Sequence, residues 1–148
     1  MSLDYKILDF LNKKYHRVSV ERVLSGHGLA NIYEYLQQDP PYGISESPKL
    51  LHRLETTGSQ DPAQIISEFG LEKKDILAQI ALDEFCKIYG SFCGNIGLTT
   101  LCYGGLYIAG GIAPKILPII QKGDFIRKFK DKGRMSNLLN AIPLFLIT

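Results

Sequence analysis

With 148 residues, 45% of them apolar and 22% charged, the chain is long enough for one domain with a sizeable core and has an ordinary globular composition. A formal net charge of +2 leaves out the strong basic stripe that nucleic-acid binding requires. Cys86, Cys93 and Cys102, at spacings of seven and nine, match no zinc motif; they read as free buried thiols in a reducing cytoplasm.

Met1-Ser2-Leu3 has neither the basic start nor the apolar stretch of a signal peptide. That short lead and the abrupt PLFLIT ending are expected of a piece of a longer protein. Asp4 to Tyr15 then reads as an amphipathic helix with Ile7, Leu8, Leu11 and Tyr15 on one face. Ser19 is placed to cap a short VERVL turn that Gly26 stops. A second helix is expected from about Gly28 to Gln37, with Leu29, Ile32, Tyr33 and Leu36 inward. Asp39 to Gln60, with three prolines, two glycines and several Ser and Thr, reads as an exposed loop.

Asp61 caps the next helix, with Pro62 at its first position and Gln64 three residues beyond the cap. The longest helix starts near Lys73 and extends toward Leu101. Its expected wet stripe is Asp75, Gln79, Asp83 and Lys87, with Leu77, Ile80, Ala81, Phe85 and Ile88 inward. Gly90, Gly94 and Gly97 lie on one side of it, where they weaken the helix but let another backbone or a ligand come close. Leu106 to Ala109 has strand character, Gly110-Gly111 turns the chain, and Pro114 suits the first turn of a helix that Pro118 limits. Phe125, Ile126 and Phe129 mark a further helix, Ser136 begins a short one, and Leu144 to Ile147 reads as a final buried strand. Helices dominate two short strands, as in one layer of an α/β domain.

Residues Ile88 to Pro114 carry no charge and are numerous enough to span a bilayer. The run also holds seven glycines, Ser91, Asn95, Thr99 and Thr100, so a buried core without a membrane is expected, a small membrane protein being the third reading of the chain.

The best local site candidate is Leu106 to Pro114, LYIAGGIAP. Open α/β sheets bind ligands beyond the C-terminal ends of their strands, and a glycine pair there lets a nucleotide pack on bare backbone before a helix N-terminus. It is not G-x-G-x-x-G, and a tight turn explains the glycines equally well. Ser25-Gly26-His27-Gly28 reads as a helix break in preference to a phosphate loop, and His16, His27 and His52 have no metal spacing. Glu21 is either a carboxylate stabilising a helix start or an acceptor for sugar hydroxyls; spacing alone leaves both open. Lys122 to Arg134 is basic but interrupted by Asp124 and Asp131, as in a solvated face.

Three stretches, taken together, resemble bacterial-type glucokinase, a member of the actin-like sugar kinase superfamily. Val18 to Tyr33 (VSVERVLSGHGLANIY) is similar to the family's V-S-x-E-R-V-L-S-G-x-G-L-x-N-x-Y. Gly94 to Leu117 is similar to its G-N-x-A-L…G-G-x-[FY]-I-A-G-G-I-x-P run, and Phe125 to Ile147 to its F-x-x-x-F-x-D-K-G-R…I-P segment. The resemblance implies that residues 1–148 are a helix-rich part of the larger C-terminal α/β domain of an actin-like (ribonuclease H-like) kinase. It implies transfer of phosphate from ATP, with Mg²⁺, to the 6-hydroxyl of glucose, in a cytoplasmic homodimer without nucleic-acid or membrane partners. It carries glucose binding to Glu21 and nucleotide contact to Gly104, Gly105, Gly110 and Gly111.

The family's catalytic aspartate, its D-x-G-G-T phosphate loop and its E-x-x-H pair have no counterpart in this sequence. The N-terminal catalytic and phosphate-binding domain is therefore expected to be absent, no catalytic or metal residue is assigned here, and the 148 residues alone are expected to be inactive. The alternative reading is a non-catalytic sugar- or nucleotide-binding module.

Overall fold

The computed structural model describes residues 2–56, 58 and 61–147. They form two compact units, Met1–Phe85 and Cys86–Thr148, where length alone suggested one domain.

The first unit opens with α1 (Leu3–Tyr15), whose apolar period buries Ile7 and Leu11. Leu8, expected inward, is 42% exposed, because one step round a helix from Ile7 takes it off the narrow buried stripe. A 3₁₀ turn (Val20–Arg22) leads to α2 (Gly26–Gln38), which starts two residues before the expected Gly28 because Ser25 is its cap. Leu29, Ile32, Tyr33 and Leu36 are buried as the period predicts.

The stretch 39–60 corrects the expectation of an exposed loop. It contains a 3₁₀ turn (Pro41–Gly43) and α3 (Pro48–Thr56), which packs on α4 (Pro62–Leu71) with Leu50 fully buried. Ser47-Pro48 repeats the cap-then-proline signal of Asp61-Pro62, and the Leu50 amide donates to the Ser47 hydroxyl at 3.3 Å. Thr57, Ser59 and Gln60 of that stretch lie outside the described residues. The Asp61 carboxylate accepts from the Ala63 amide at 3.1 Å, as the sequence suggested.

The longest helix, α5 (Ile76–Thr100), holds the boundary between the units at Phe85 and Cys86. Asp75, expected in its wet stripe, is buried. Its carboxylate accepts from the Ala78 amide at 2.7 Å and from the Ser47 amide at 2.6 Å. A residue read as solvated is thus the cap of α5 and its tie to the start of α3.

In the second unit the α5 glycines receive backbone. A Cβ built on Gly90 would lie 2.2 Å from the Phe125 carbonyl oxygen, and one on Gly94 2.3 Å from that of Phe129. The chain continues through β1 (Leu106–Ile108), two single-turn helices α6 (Ile112–Lys115) and α7 (Leu117–Ile120), and α8 (Asp124–Lys130). A 3₁₀ turn (Gly133–Met135), α9 (Ser136–Asn140) and β2 (Leu144–Leu146) complete it. Pro118, at the first turn of α7, separates it from α6, as expected of a proline that cannot continue a helix.

The strands pair in parallel, Leu106 opposite Leu144 and Ile108 opposite Leu146, with the four short helices as the crossover that parallel pairing requires. Ile108, Phe125, Phe129, Leu139 and Ile142 supply its core. The last strand, expected buried, is open on one side: Phe145 is 44% exposed and stacks on Tyr107 with ring centroids 4.9 Å apart. Among the described residues no helix is long and apolar enough to cross a membrane.

Cys86 and Cys93 are buried and in no disulfide, while Cys102, also expected buried, is partly accessible. Burial pushes the Cys93 thiol up from 9.0 to about 11. Below pH 9 both folded and unfolded states hold this proton. Above it the unfolded chain releases the proton while the folded chain keeps it, so stability falls as pH rises toward 11. Urea melts at pH 8.5 and 10.5 are expected to show a loss that Cys93→Ala reduces by about 2 kcal/mol.

Candidate functional site

Each unit carries one surface that the sequence singled out. In the first, Glu21 is the exposed middle residue of the three-residue 3₁₀ turn. Ser19, the expected cap, has extended backbone and makes no side-chain cap bond. The turn is closed by its own backbone, the Val23 and Leu24 amides donating to the Val20 carbonyl at 3.0 and 2.7 Å.

The rest of the VSVERVLSGHGLANIY segment holds this turn in place. Ser25 Oγ donates to the Glu21 carbonyl at 2.6 Å and accepts from the Gly28 amide at 3.0 Å, so one hydroxyl caps α2 and fixes the backbone of Glu21. Gly28 brings α2 against the turn; a Cβ there would sit 2.1 Å from the Val23 carbonyl oxygen. Gly26 and Gly28 are therefore a helix start and a packing contact, inside α2 where the sequence suggested a helix break. The Arg22 guanidinium lies over the Tyr15 ring, 4.2 Å from its centroid.

Asn31 is the residue that sequence reasoning missed. It is buried, its Nδ2 donates to the Arg22 carbonyl at 2.9 Å, and its Oδ1 accepts from Tyr15 Oη at 2.9 Å and Lys14 Nζ at 3.3 Å. Lys14 also pairs with Glu34. Burial draws the Lys14 ammonium down, but its bonds and attraction to Glu34 and Tyr15 together carry it above its ordinary value, so it stays charged. The available signal was that Asn31 fills the fixed asparagine of the V-S-x-E-R-V-L-S-G-x-G-L-x-N-x-Y run.

In the second unit the four glycines differ. Gly110 follows β1 at φ 114°, a left-handed backbone that only glycine adopts readily, and it and its neighbour Gly111 are exposed with open space where a side chain would stand. Gly104 is exposed and open in the same way. Gly105 has a structural cause: its φ is 129°, and a Cβ would meet the Phe145 ring at 2.7 Å. The helix after the Gly110-Gly111 turn, α6, has only four residues, too short to supply the helix-end anion attraction that the sequence suggested. What the turn offers is bare, accessible backbone.

The basic stretch is a paired surface. Arg127 bonds Asp124 at 2.8 Å, Lys128 lies 3.7 Å from Asp131, and Lys132 Nζ donates to Ser91 Oγ at 2.9 Å across the groove opened by Gly94. Among the described residues no three His, Cys, Asp or Glu side chains gather as a metal site. The Mg²⁺ implied by the resemblance thus finds no ligand set among these residues.

Comparison with known proteins points to one family for the whole chain. The family model for glucokinase matches residues 1–148. The chain is 42% identical to a glucokinase of Synechocystis sp. over 98% of its own length and 43% of that protein. It is 43% identical to one of Nostoc punctiforme, over 98% of its own length and 45% of the relative. The crystal structure of a glucokinase from an Antarctic psychrotroph superposes with a TM-score of 0.80 at 31% identity, over all of this chain and 42% of that one. The chain belongs to the glucokinase family. It spans less than half the length of the curated relatives it matches.

Proposed function

We propose that this chain supplies part of the sugar and nucleotide surfaces of an enzyme that phosphorylates glucose on its 6-hydroxyl with ATP and Mg²⁺, as the helix-rich part of an actin-like C-terminal domain. Glu21 accepts hydrogen bonds from glucose hydroxyls, and the backbone at Gly104, Gly110 and Gly111 packs against the nucleoside end of ATP, with Gly105 shaping that turn. A homodimer in the cytoplasm completes the reading.

The observation that carries it is the anchoring of Glu21. An ionised carboxylate offers two acceptor oxygens, and here the Val20, Glu21 and Arg22 carbonyls of the backbone beneath it are all bonded while the side chain is exposed. Such preorganisation is what orienting a polyhydroxylated substrate demands. Phosphoryl transfer also needs a base for the hydroxyl proton and charge stabilisation around the phosphates. No motif for either occurs in these residues, so the part played here is binding and orientation. In the full-length enzyme, Glu21→Ala is expected to raise the glucose KM about a hundredfold, the scale of losing charged hydrogen bonds, while the ATP KM moves about twofold or less. Equal losses toward both substrates would remove Glu21 from the sugar site.

A further inference from the structure

We propose that Asn31 is a positioning residue for the sugar site, fixing the turn that presents Glu21; the assignment rests on reading Glu21 as a sugar ligand. A buried amide is costly unless its hydrogen bonds are made, and a three-residue turn cannot satisfy its own outer carbonyls. Asn31 answers both requirements. Its Nδ2 satisfies the Arg22 carbonyl, directly after Glu21, and its Oδ1 takes Tyr15 and Lys14 from the end of α1.

Three consecutive elements, α1, the turn and α2, thus meet at one side chain. Gly28 lies three residues before Asn31 on α2, so both fall on the helix face that touches the turn. Ser25 holds the Glu21 carbonyl, and Asn31 holds the next carbonyl along. With the Val20 and Glu21 carbonyls, which flank the Cα of Glu21, and then the Arg22 carbonyl all bonded, that Cα has little freedom to drift, and a displacement of about 1 Å can cost as much as a hundredfold in a reacting geometry.

Asn31→Asp tests this without emptying the site. The carboxylate still accepts from Tyr15 and Lys14, while the donor to the Arg22 carbonyl is replaced by an acceptor oxygen that repels it. In the full-length enzyme we expect the glucose KM to rise about tenfold with the ATP KM unchanged, and the same substitution to add almost nothing in a Glu21→Ala background. Equal effects in the two backgrounds, or equal effects on both substrates, would make Asn31 merely structural and overturn the proposal.

Amide exchange gives a readout that does not depend on what Glu21 binds. The Val23 and Leu24 amides, which close the turn onto Val20, should exchange faster in Asn31→Asp while those of α4 keep their protection. Unchanged exchange at Val23 and Leu24 would overturn the positioning role outright. Faster exchange there, with a glucose KM indifferent to Glu21→Ala, would uphold the positioning of the turn and reject the sugar reading instead.

Discussion

Gly90→Val is expected to unfold much of the second unit, lowering stability by at least about 3 kcal/mol. The first atom of any side chain at Gly90 falls 2.2 Å from the Phe125 carbonyl oxygen, and the carbonyl carbon and Cα of Phe125 follow at 2.9 and 3.0 Å. These are backbone atoms of α8, so no rotamer change relieves the clash. Either α8 moves away from α5 or the helix distorts.

Moving α8 would withdraw Phe125 and Phe129, both fully buried, and full burial of each is worth roughly 1.5–3 kcal/mol. The opposing term is helix propensity, since any residue other than proline is favoured over glycine by up to about 1 kcal/mol. It is the smaller of the two. Gly97→Ala isolates that term within the same helix. There the new methyl meets the flexible end of Ile142 at 3.3 Å and the Phe129 ring at an ordinary 3.7 Å, with no backbone in the way, so stability should be unchanged or rise by up to about 1 kcal/mol. Urea melts followed by circular dichroism compare the two, and equal effects at Gly90 and Gly97 would reject close backbone packing as the reason for these glycines.

Asp75→Ala is the second large effect, expected at about 2–4 kcal/mol. One part is the lost cap of a 25-residue helix, typically about 1 kcal/mol. The larger part is the Ser47 amide, left without its 2.6 Å acceptor in a partly buried position, at about 1–3 kcal/mol. Asp75→Asn keeps one side-chain acceptor and should lose about half as much. Besides lowering the urea midpoint, the alanine variant should speed amide exchange at Ser47 and Leu50. Loss of stability with those amides still protected would mean that α3 is held by Leu50 burial alone.

Much of the helical plan was legible because it rests on short-range signals. The 3.6-residue period buried Leu29, Ile32, Tyr33 and Leu36, and Asp61-Pro62 started α4 where capping chemistry places it. The same signal at Ser47-Pro48 was outweighed by the density of prolines and glycines around it, although those prolines stand at helix starts, where a missing N–H costs nothing. Asp75 misled because a carboxylate at helical spacing from Gln79 and Asp83 looks like a solvated stripe. Only the arrival of the Ser47 amide from another segment makes it a buried cap.

The site divides along the same line. The sequence by itself determined the family, through three motif runs in the right order, and it singled out Glu21 and the glycines as residues whose chemistry suits a sugar and a nucleotide. Tertiary structure decided which of those glycines are explained by packing. Gly105 sits under Phe145 and Gly28 against Val23, whereas Gly104, Gly110 and Gly111 face open space. It also decided that Asn31, in the sequence only one matched position of a motif run, bonds the turn of Glu21. The physical reason is range. Period, caps and turns act over a few residues and are written locally, whereas the partner of a buried amide or the backbone that fills a glycine's missing side chain is set by which distant segments the fold brings together.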